Sequence, residues 1–470
     1  MSHERGVPGG RLSLSPLRAG GAPASRLGQA LLCSILASVF ILSLFASDDA
    51  SAETSQPFKL RLGVFSVQPT SHVGFGYDNN IFYDAVEEPD GRVPNSGWLL
   101  VGGGRLRAKN EQARRVLLEL DSNIAFRHYT NADLSGPQDR EIREEIIDSR
   151  TGVSRAAFNG RARFNPEGTF QASLYNQFTY LERPSYEFSV SGFERIQNIA
   201  GGRVHFMPGG RGIQGPLELN LGYGFEVIDF LNEPPNQPIL GRSKKNAHRF
   251  STDLKLRFLP KNYLLFKASY VLNDYNDFQP GEEEEEGASS LSRDSRPLRV
   301  TGGLTGLITP RVSVVLNGGY AHTFNDNGPS FKGFIGLLEL NYVSLPRFRL
   351  GVGYQRDGRD SGFSNFYVLD RGFFRLSWNL SHSVLWSSML SYDLYRYERT
   401  GAIQEQGRED PVLRIKTDLS FRIISSLAIK FTWSLEENFT EYALPLGEEV
   451  LTDFAAYQRQ LYLVQLALNP

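Results

Sequence analysis

The sequence predicts an all-β fold: a transmembrane, antiparallel up-and-down β-barrel of about eighteen strands behind an N-terminal signal peptide. Three observations predict it. Stretches of roughly 11 to 16 residues alternate apolar with polar or small side chains. The links between them alternate short and long. The apolar content is dispersed: the 470-residue chain is 40% hydrophobic, with Gly 46, Phe 32 and Tyr 20, yet its mean hydropathy is −0.30. A helical membrane protein needs several runs of about 20 apolar residues. Aromatic residues at 12% are too many for a disordered chain, and one Cys excludes a disulfide scaffold.

The one long apolar run, Ala30 to Ala46, follows Arg5, Arg11, Arg18 and Arg26 and precedes Ala50-Ser51-Ala52. A basic segment, an apolar core and a small-x-small site read as a signal peptide over residues 1–52, cleaved near Ala52–Glu53. An uncleaved anchor is the competing reading, since the run is close to a span. Cys33 lies inside this segment, so the exported chain has no thiol chemistry. Residues 53–69 are either a periplasmic segment or the start of the first strand, and residues 70–470 are the barrel.

The clearest strand is Arg115 to Tyr129. Val116, Leu118, Leu120, Ile124 and Phe126 share one parity; Arg115, Glu119, Asp121, Asn123 and Arg127 share the other. Period two gives one apolar and one polar face. Leu217 to Val227, Phe250 to Phe258, Leu413 to Ile423 and Leu427 to Leu435 repeat the pattern. Tight links fall at Lys109–Ala113, Asn165–Gly168, Pro208–Pro216, Pro260–Asn262, Thr309–Arg311, Pro346, Ser381–Ser383 and Ser425-Ser426. Longer polar links fall roughly at 83–95, 131–152, 183–193, 231–246, 278–296, 326–330, 359–365, 399–410 and 443–453. Short turns on one side and long loops on the other are the layout of outer-membrane barrels, with both termini in the periplasm.

The net charge of −2 hides a segregation. Strand parity puts roughly 23 basic against roughly 9 acidic side chains on the polar face. The basic set comprises Arg105, Arg107, Arg155, Arg161, Arg163, Arg203, Arg249, Lys255, Arg257, Lys267, Arg299, Arg347, Arg349, Arg371, Arg375, Arg414, Lys416 and Arg422. Acids gather in the long links, as at Glu87-Glu88, Asp139 to Asp148, Glu282 to Glu286 and Glu448-Glu449. A cationic lumen attracts anionic solutes or an acidic polymer. The plainer reading is that any barrel interior needs polar filling, with Arg paired to lumen acids.

Asp139 to Ile147 has a short helical pattern, and Glu282 to Glu286 reads either as a solvated loop tip or as a divalent-cation site. No cofactor, metal site or enzyme activity is expected: the six His residues that follow the signal peptide are scattered with no metal spacing, and no Gly-x-Ser-x-Gly occurs. Most aromatics are expected in girdles facing lipid. Tyr175, Phe373, Tyr395, Tyr397 and Tyr457 have lumen parity and could stack on a passing sugar.

Val73-Gly74-Phe75-Gly76-Tyr77-Asp78-Asn79-Asn80-Ile81-Phe82 resembles the first strand of the beta-barrel porin 2 family, with its Tyr-Asp-Asp/Asn-Asn-Val/Ile ending. A Gly-rich second strand and a third ending Phe126-Arg127-His128-Tyr129 extend the resemblance. It implies an outer-membrane conduit accompanying exopolysaccharide synthesis and export. Bottom-up, the motif Tyr77, Asp78, Asn79, Asn80 is equally explained as a strand end in which Asx side chains cap their own backbone. The C-terminus, Leu466-Ala467-Leu468-Asn469-Pro470, keeps the alternation but lacks the usual terminal aromatic.

The expectation is therefore an exported outer-membrane channel for exopolysaccharide, acidic in character. A porin for small anions and a structural or adhesive barrel with a filled lumen are the alternatives. The expected partners are outer-membrane lipid, the polysaccharide or anionic solute, a periplasmic polysaccharide-export protein and the barrel-insertion machinery; nucleic acid is not among them.

Overall fold

The computed structural model describes residues 59–81, 96–110, 115–130, 152–182, 194–208, 215–231, 244–275, 294–326, 328–344, 347–361, 365–398, 408–440, 444–446, 449–451 and 456–468. The expected signal peptide, the pattern at Asp139 to Ile147 and Glu282 to Glu286 lie outside the described residues. In order, the strands are β1 (Leu60–Leu62), β2 (Phe65–Asp78), β3 (Gly97–Asn110), β4 (Val116–Thr130), β5 (Gly152–Phe164), β6 (Phe170–Leu181), β7 (Arg195–Phe206), β8 (Leu217–Phe230), β9 (Lys245–Leu259) and β10 (Asn262–Asp274). They continue with β11 (Leu298–Thr309), β12 (Val312–His322), β13 (Lys332–Ser344), β14 (Phe348–Asp360), β15 (Phe366–Asn379), β16 (Val384–Tyr397), β17 (Glu409–Ile424), β18 (Leu427–Asn438), β19 (Leu444–Leu446), β20 (Glu449–Leu451) and β21 (Tyr457–Leu468).

Each strand from β2 to β18 pairs antiparallel with the next, β18 pairs with β21, and β21 pairs with β2. The nineteen-stranded sheet less β1 is thus a closed ring of eighteen. Closure satisfies every ladder without an edge, as a sheet in hydrocarbon requires. The tight links join β3 to β4, β5 to β6 and so on to β17 and β18, and the long links fill the alternate places, as expected. The link before β21 carries a small hairpin, β19–β20. The segment before residue 70 divides in two. β2 already starts at Phe65, and β1 folds back on Phe65–Val67 through Gly63 at φ +60°, a backbone angle that glycine adopts without strain.

Parity sorts the side chains. Phe266, Val300, Tyr320, Phe334 and Tyr392 are exposed on the outside, a surface that lipid covers. Aromatic pairs ring both ends of this belt: Phe75 stacks on Trp98 at 4.9 Å near the long-loop end, and Phe170–Phe206 and Trp378–Trp386 lie near the tight turns. Such girdles place amphipathic rings at the head-group level. None of the described helices is long and apolar enough to cross a membrane.

At the seam the Tyr77-Asp78-Asn79-Asn80 stretch holds the first strand to the last. The fully buried Asp78 accepts from Arg459 Nη2 at 2.5 Å and from Tyr129 OH at 3.0 Å. Asn80 Nδ2 donates to Gln458 O at 3.0 Å, and Asn79 exchanges two bonds with Gln460. Asn80 N also donates to Asp78 Oδ1 at 3.3 Å, so the local cap and the seam contact coexist.

The sheet parts in one place. β13 pairs with β14 from Gly336↔Arg356 to Ser344↔Phe348, whereas β14 stays with β15 up to Asp360↔Phe366. Phe331 fills the gap against Gly358, where a Cβ would stand 2.5 Å from its ring. Ala321, Ile335 and Phe366 complete that cluster. The freed tip of β14 reaches across the mouth. Asp360 accepts from Lys245 Nζ (3.2 Å), Asn273 Nδ2 (3.2 Å) and Tyr275 OH (3.3 Å), and Asp357 accepts from Arg299 Nη1 at 2.5 Å.

Candidate channel lining

Seventeen of the eighteen basic residues picked out by parity lie within strands, at the parity opposite the exposed apolar set; Arg347 stands in the turn before β14. Their partners divide them. Arg105 and Arg107 share Asp121, Arg299 meets Asp357, and Arg375 meets Glu339 at 3.3 Å. Arg371 binds Asp393 through two 2.7 Å bonds, and Arg414 joins the same carboxylate and Glu436. Lys255 is 4.0 Å from Glu218. Among the described residues, no carboxylate lies within 4.0 Å of Arg155, Arg161, Arg203, Lys267, Arg347, Arg349, Lys416 or Arg422. Both the filled and the cationic expectation thus describe part of the wall.

The filled part lies towards the long loops. Asp393 and Asp78 are fully buried, and Tyr395, Tyr397 and Tyr457 are 5%, 5% and 1% exposed. Tyr457 donates to Glu436 at 2.8 Å, and Tyr395 stands between Asp393 and Arg414. Phe373 is buried at 7% over Gly353. Of the five aromatics singled out for stacking, these four have no free ring face here. A sugar cannot rest on them.

Tyr175 differs. The registers of β3 to β9 align Lys109, Glu119, Arg161, Tyr175, Gly201, Gly224 and Arg249 in one lateral row around the inner wall. The adjacent row holds Arg163, Ser173, Arg203, Gly222 and Ser251. Rows two residues apart are about 7 Å apart along the strand. Together they line a recess of about 210 Å³ containing Arg161, Arg163, Arg203, Arg249, His205 and Tyr175. A second recess of about 310 Å³ adjoins it, sharing Arg161, Tyr175 and Gln177 and extending to Gln68, Arg107 and Lys109.

The charge in this recess is incompletely matched. Arg249 is neutralised by the fully buried Glu226, and Arg163 is 4.0 Å from Glu119. Arg161 and Arg203 have no acid, and Arg203 Nε is buried with no hydrogen-bond acceptor among the described residues. An orphaned buried donor is costly, and the two guanidinium groups that line the recess without a described carboxylate are free to bind an oxyanion.

His205 links Ser173 Oγ (3.1 Å) to Asn220 Oδ1 (2.5 Å) on the recess floor. The connectivity is that of a nucleophile, base and orienting amide. Ser173 is only 4% exposed and also contacts Arg203 O, so a substrate carbonyl has almost no approach to Oγ. The chain ties three strands together.

Sequence reasoning assigned no pairing role to the acids that carry it: Asp78, Glu226, Asp357, Asp360 and Asp393. Four of these have lumen parity beside lumen arginines, which was a usable signal. Asp360 has the opposite parity and could not have been found that way.

A closed ring with a greasy outer belt and a charged interior defines the class: the chain is an outer-membrane β-barrel. No protein-family profile and no curated protein matches the sequence. Among solved structures it is similar to OpdQ of Pseudomonas aeruginosa, at 12% identity and a TM-score of 0.45, over 86% of this chain and 97% of that one. It is also similar to OccAB3 of Acinetobacter baumannii, at 11% identity and 0.44 over 86% and 98%, and to P. aeruginosa OpdK with vanillate, at 10% and 0.42 over 85% and 98%.

Proposed function

We propose that the barrel conducts anionic solutes across the outer membrane, and that its cargo is an acidic exopolysaccharide leaving the periplasm. The observation that carries the first part is the pair Arg161 and Arg203, unmatched by any described carboxylate, in a recess of the tight-turn half of the wall. Fixed cations inside a low-dielectric wall concentrate anions. The polymer reading adds the family resemblance of the first strand, and a periplasmic export protein would deliver the chain to the tight-turn face. Small anions are the second reading, favoured by the β14 tip, which narrows the outer mouth.

Full-length protein in planar bilayers under a salt gradient tests the conduit. The reversal potential should report anion preference, and Arg161→Ala with Arg203→Ala should reduce it. A preference unchanged by that pair defeats the charge argument. Deleting the gene and measuring surface polysaccharide tests the cargo: undiminished polysaccharide rejects export.

A further inference from the structure

The geometry points to a discrete subsite for an anionic sugar ring, a hexuronate, with the ring on Tyr175 and the carboxylate on Arg203 and Arg161. It rests on the conduit reading and names what the conduit holds.

The platform is made by two glycines. Tyr175 pairs laterally with Gly201, and Gly201 with Gly224. A Cβ on Gly201 would stand 2.6 Å from the Tyr175 hydroxyl, and one on Gly224 would stand 2.9 Å from it. With no Cβ at either position the phenol lies down along the wall over both backbones, and its hydroxyl donates to Tyr223 O at 3.4 Å. A ring lying on the wall turns its opposite face to the lumen, and it borders both recesses. That is the surface a pyranose stacks on, through its axial C–H groups against the π face.

The charges stand against the platform. Arg161 is the lateral neighbour of Tyr175, and the Arg203 guanidinium lies over the ring, 5.9 Å from its centroid, so a sugar shares that face with the cation that would take its carboxylate. Arg203 lines the recess with no carboxylate partner among the described residues, and a ligand carboxylate would supply one to its guanidinium. Gln177, exposed in the second recess, can bond ring hydroxyls. A neutral sugar would leave the arginines unsatisfied, and a small carboxylate would leave the ring uncovered. Only a ligand with both features meets the whole site.

The test uses the full-length barrel in planar bilayers, with glucuronate, glucose and acetate as probes of current interruption. Glucuronate should block saturably, at least tenfold more tightly than glucose or acetate. Tyr175→Leu should lose about tenfold in glucuronate affinity, and Tyr175→Phe should retain the block. Arg203→Gln should lose the glucuronate advantage over glucose. A heat-shifted gel mobility confirms that each variant is folded. Glucuronate blocking no better than acetate, with anion preference intact, overturns the subsite and leaves the conduit standing. Loss of anion preference in the parent protein overturns the conduit instead. Stronger block by a short oligouronate than by an equal concentration of monomer rings assigns the site to a polymer, and equal block assigns it to free sugar acids.

Discussion

The ammonium of Lys245, at the outer end of β9, lies 3.2 Å from a carboxylate oxygen of Asp360, at the outer end of β14. Along the wall these strands are five steps apart, about 24 Å at the usual strand spacing. The contact exists only because β14 leaves β13 above Arg356 and leans over the mouth. Lys245 is 11% exposed and Asp360 29%, and Tyr275 and Asn273 share the same carboxylate. The β14–β15 tip is therefore a tied strut.

Asp360→Ala should release that strut. Lys245 would be left buried without its anion, which costs more than losing a surface pair. The expected outcome is a larger and noisier single-channel conductance than the parent shows. Unaltered conductance would mean the tip does not limit flow.

Asp78→Ala should weaken the seam. It removes the partner of Arg459, itself 16% exposed, and the acceptor of Tyr129. Breaking a buried ion pair on one side costs about 3–5 kcal/mol. Tyr129→Phe, which deletes the hydrogen bond to Asp78, should cost about 1 kcal/mol. Urea midpoints of the detergent-folded barrel check both, and the order of the two effects is the critical result.

Gly353→Val should disturb the wall at one point. A Cβ there would stand 2.3 Å from Phe373 Cζ and 2.8 Å from Leu338 O. Backbone cannot yield, so Phe373 must swing into the lumen. Reduced conductance and a lower urea midpoint are expected, and Phe373→Ala in the same chain should restore the conductance but not the midpoint, because the contact with Leu338 O remains.

Leu316→Arg should block assembly where Val315→Arg is tolerated. Leu316 is an exposed outward residue near the middle of β12, and its neighbour Val315 has lumen parity. Arg at the bilayer midplane of a barrel costs about 2–4 kcal/mol. Comparing the heat-shifted fractions of the two variants reads the parity directly.

Much of this wall was legible in the residues. Arg115 to Tyr129 shows its two faces by alternation alone, and every tight link at a Pro, Gly, Asn or Ser cluster separates the strand pair it was expected to separate. Period two fixes which face a residue has, but not which neighbours it meets. Tyr175 meets Gly201 and Gly224 because three registers happen to align, and nothing local announces that. Tyr457 has the right parity for a lining residue, yet it is sealed behind Glu436 and is 1% exposed. Asp360 escaped altogether, because the strand carrying it leaves the sheet. Facing is a local property; pairing and bending depend on the whole ring.

The seam has a consequence for how the molecule comes into being. β2 and β21 are joined through residues more than three hundred positions apart, as with Asn80 and Gln458. Until the last dozen or so residues arrive, the nascent sheet has two open margins, each a template for aggregation. The fold-back of β1 onto Phe65–Val67 covers the stretch that β21, ending opposite Ser71, never reaches. A chain shortened before Tyr457 would keep both margins bare, and degradation in the periplasm, not a smaller cylinder, would be its fate.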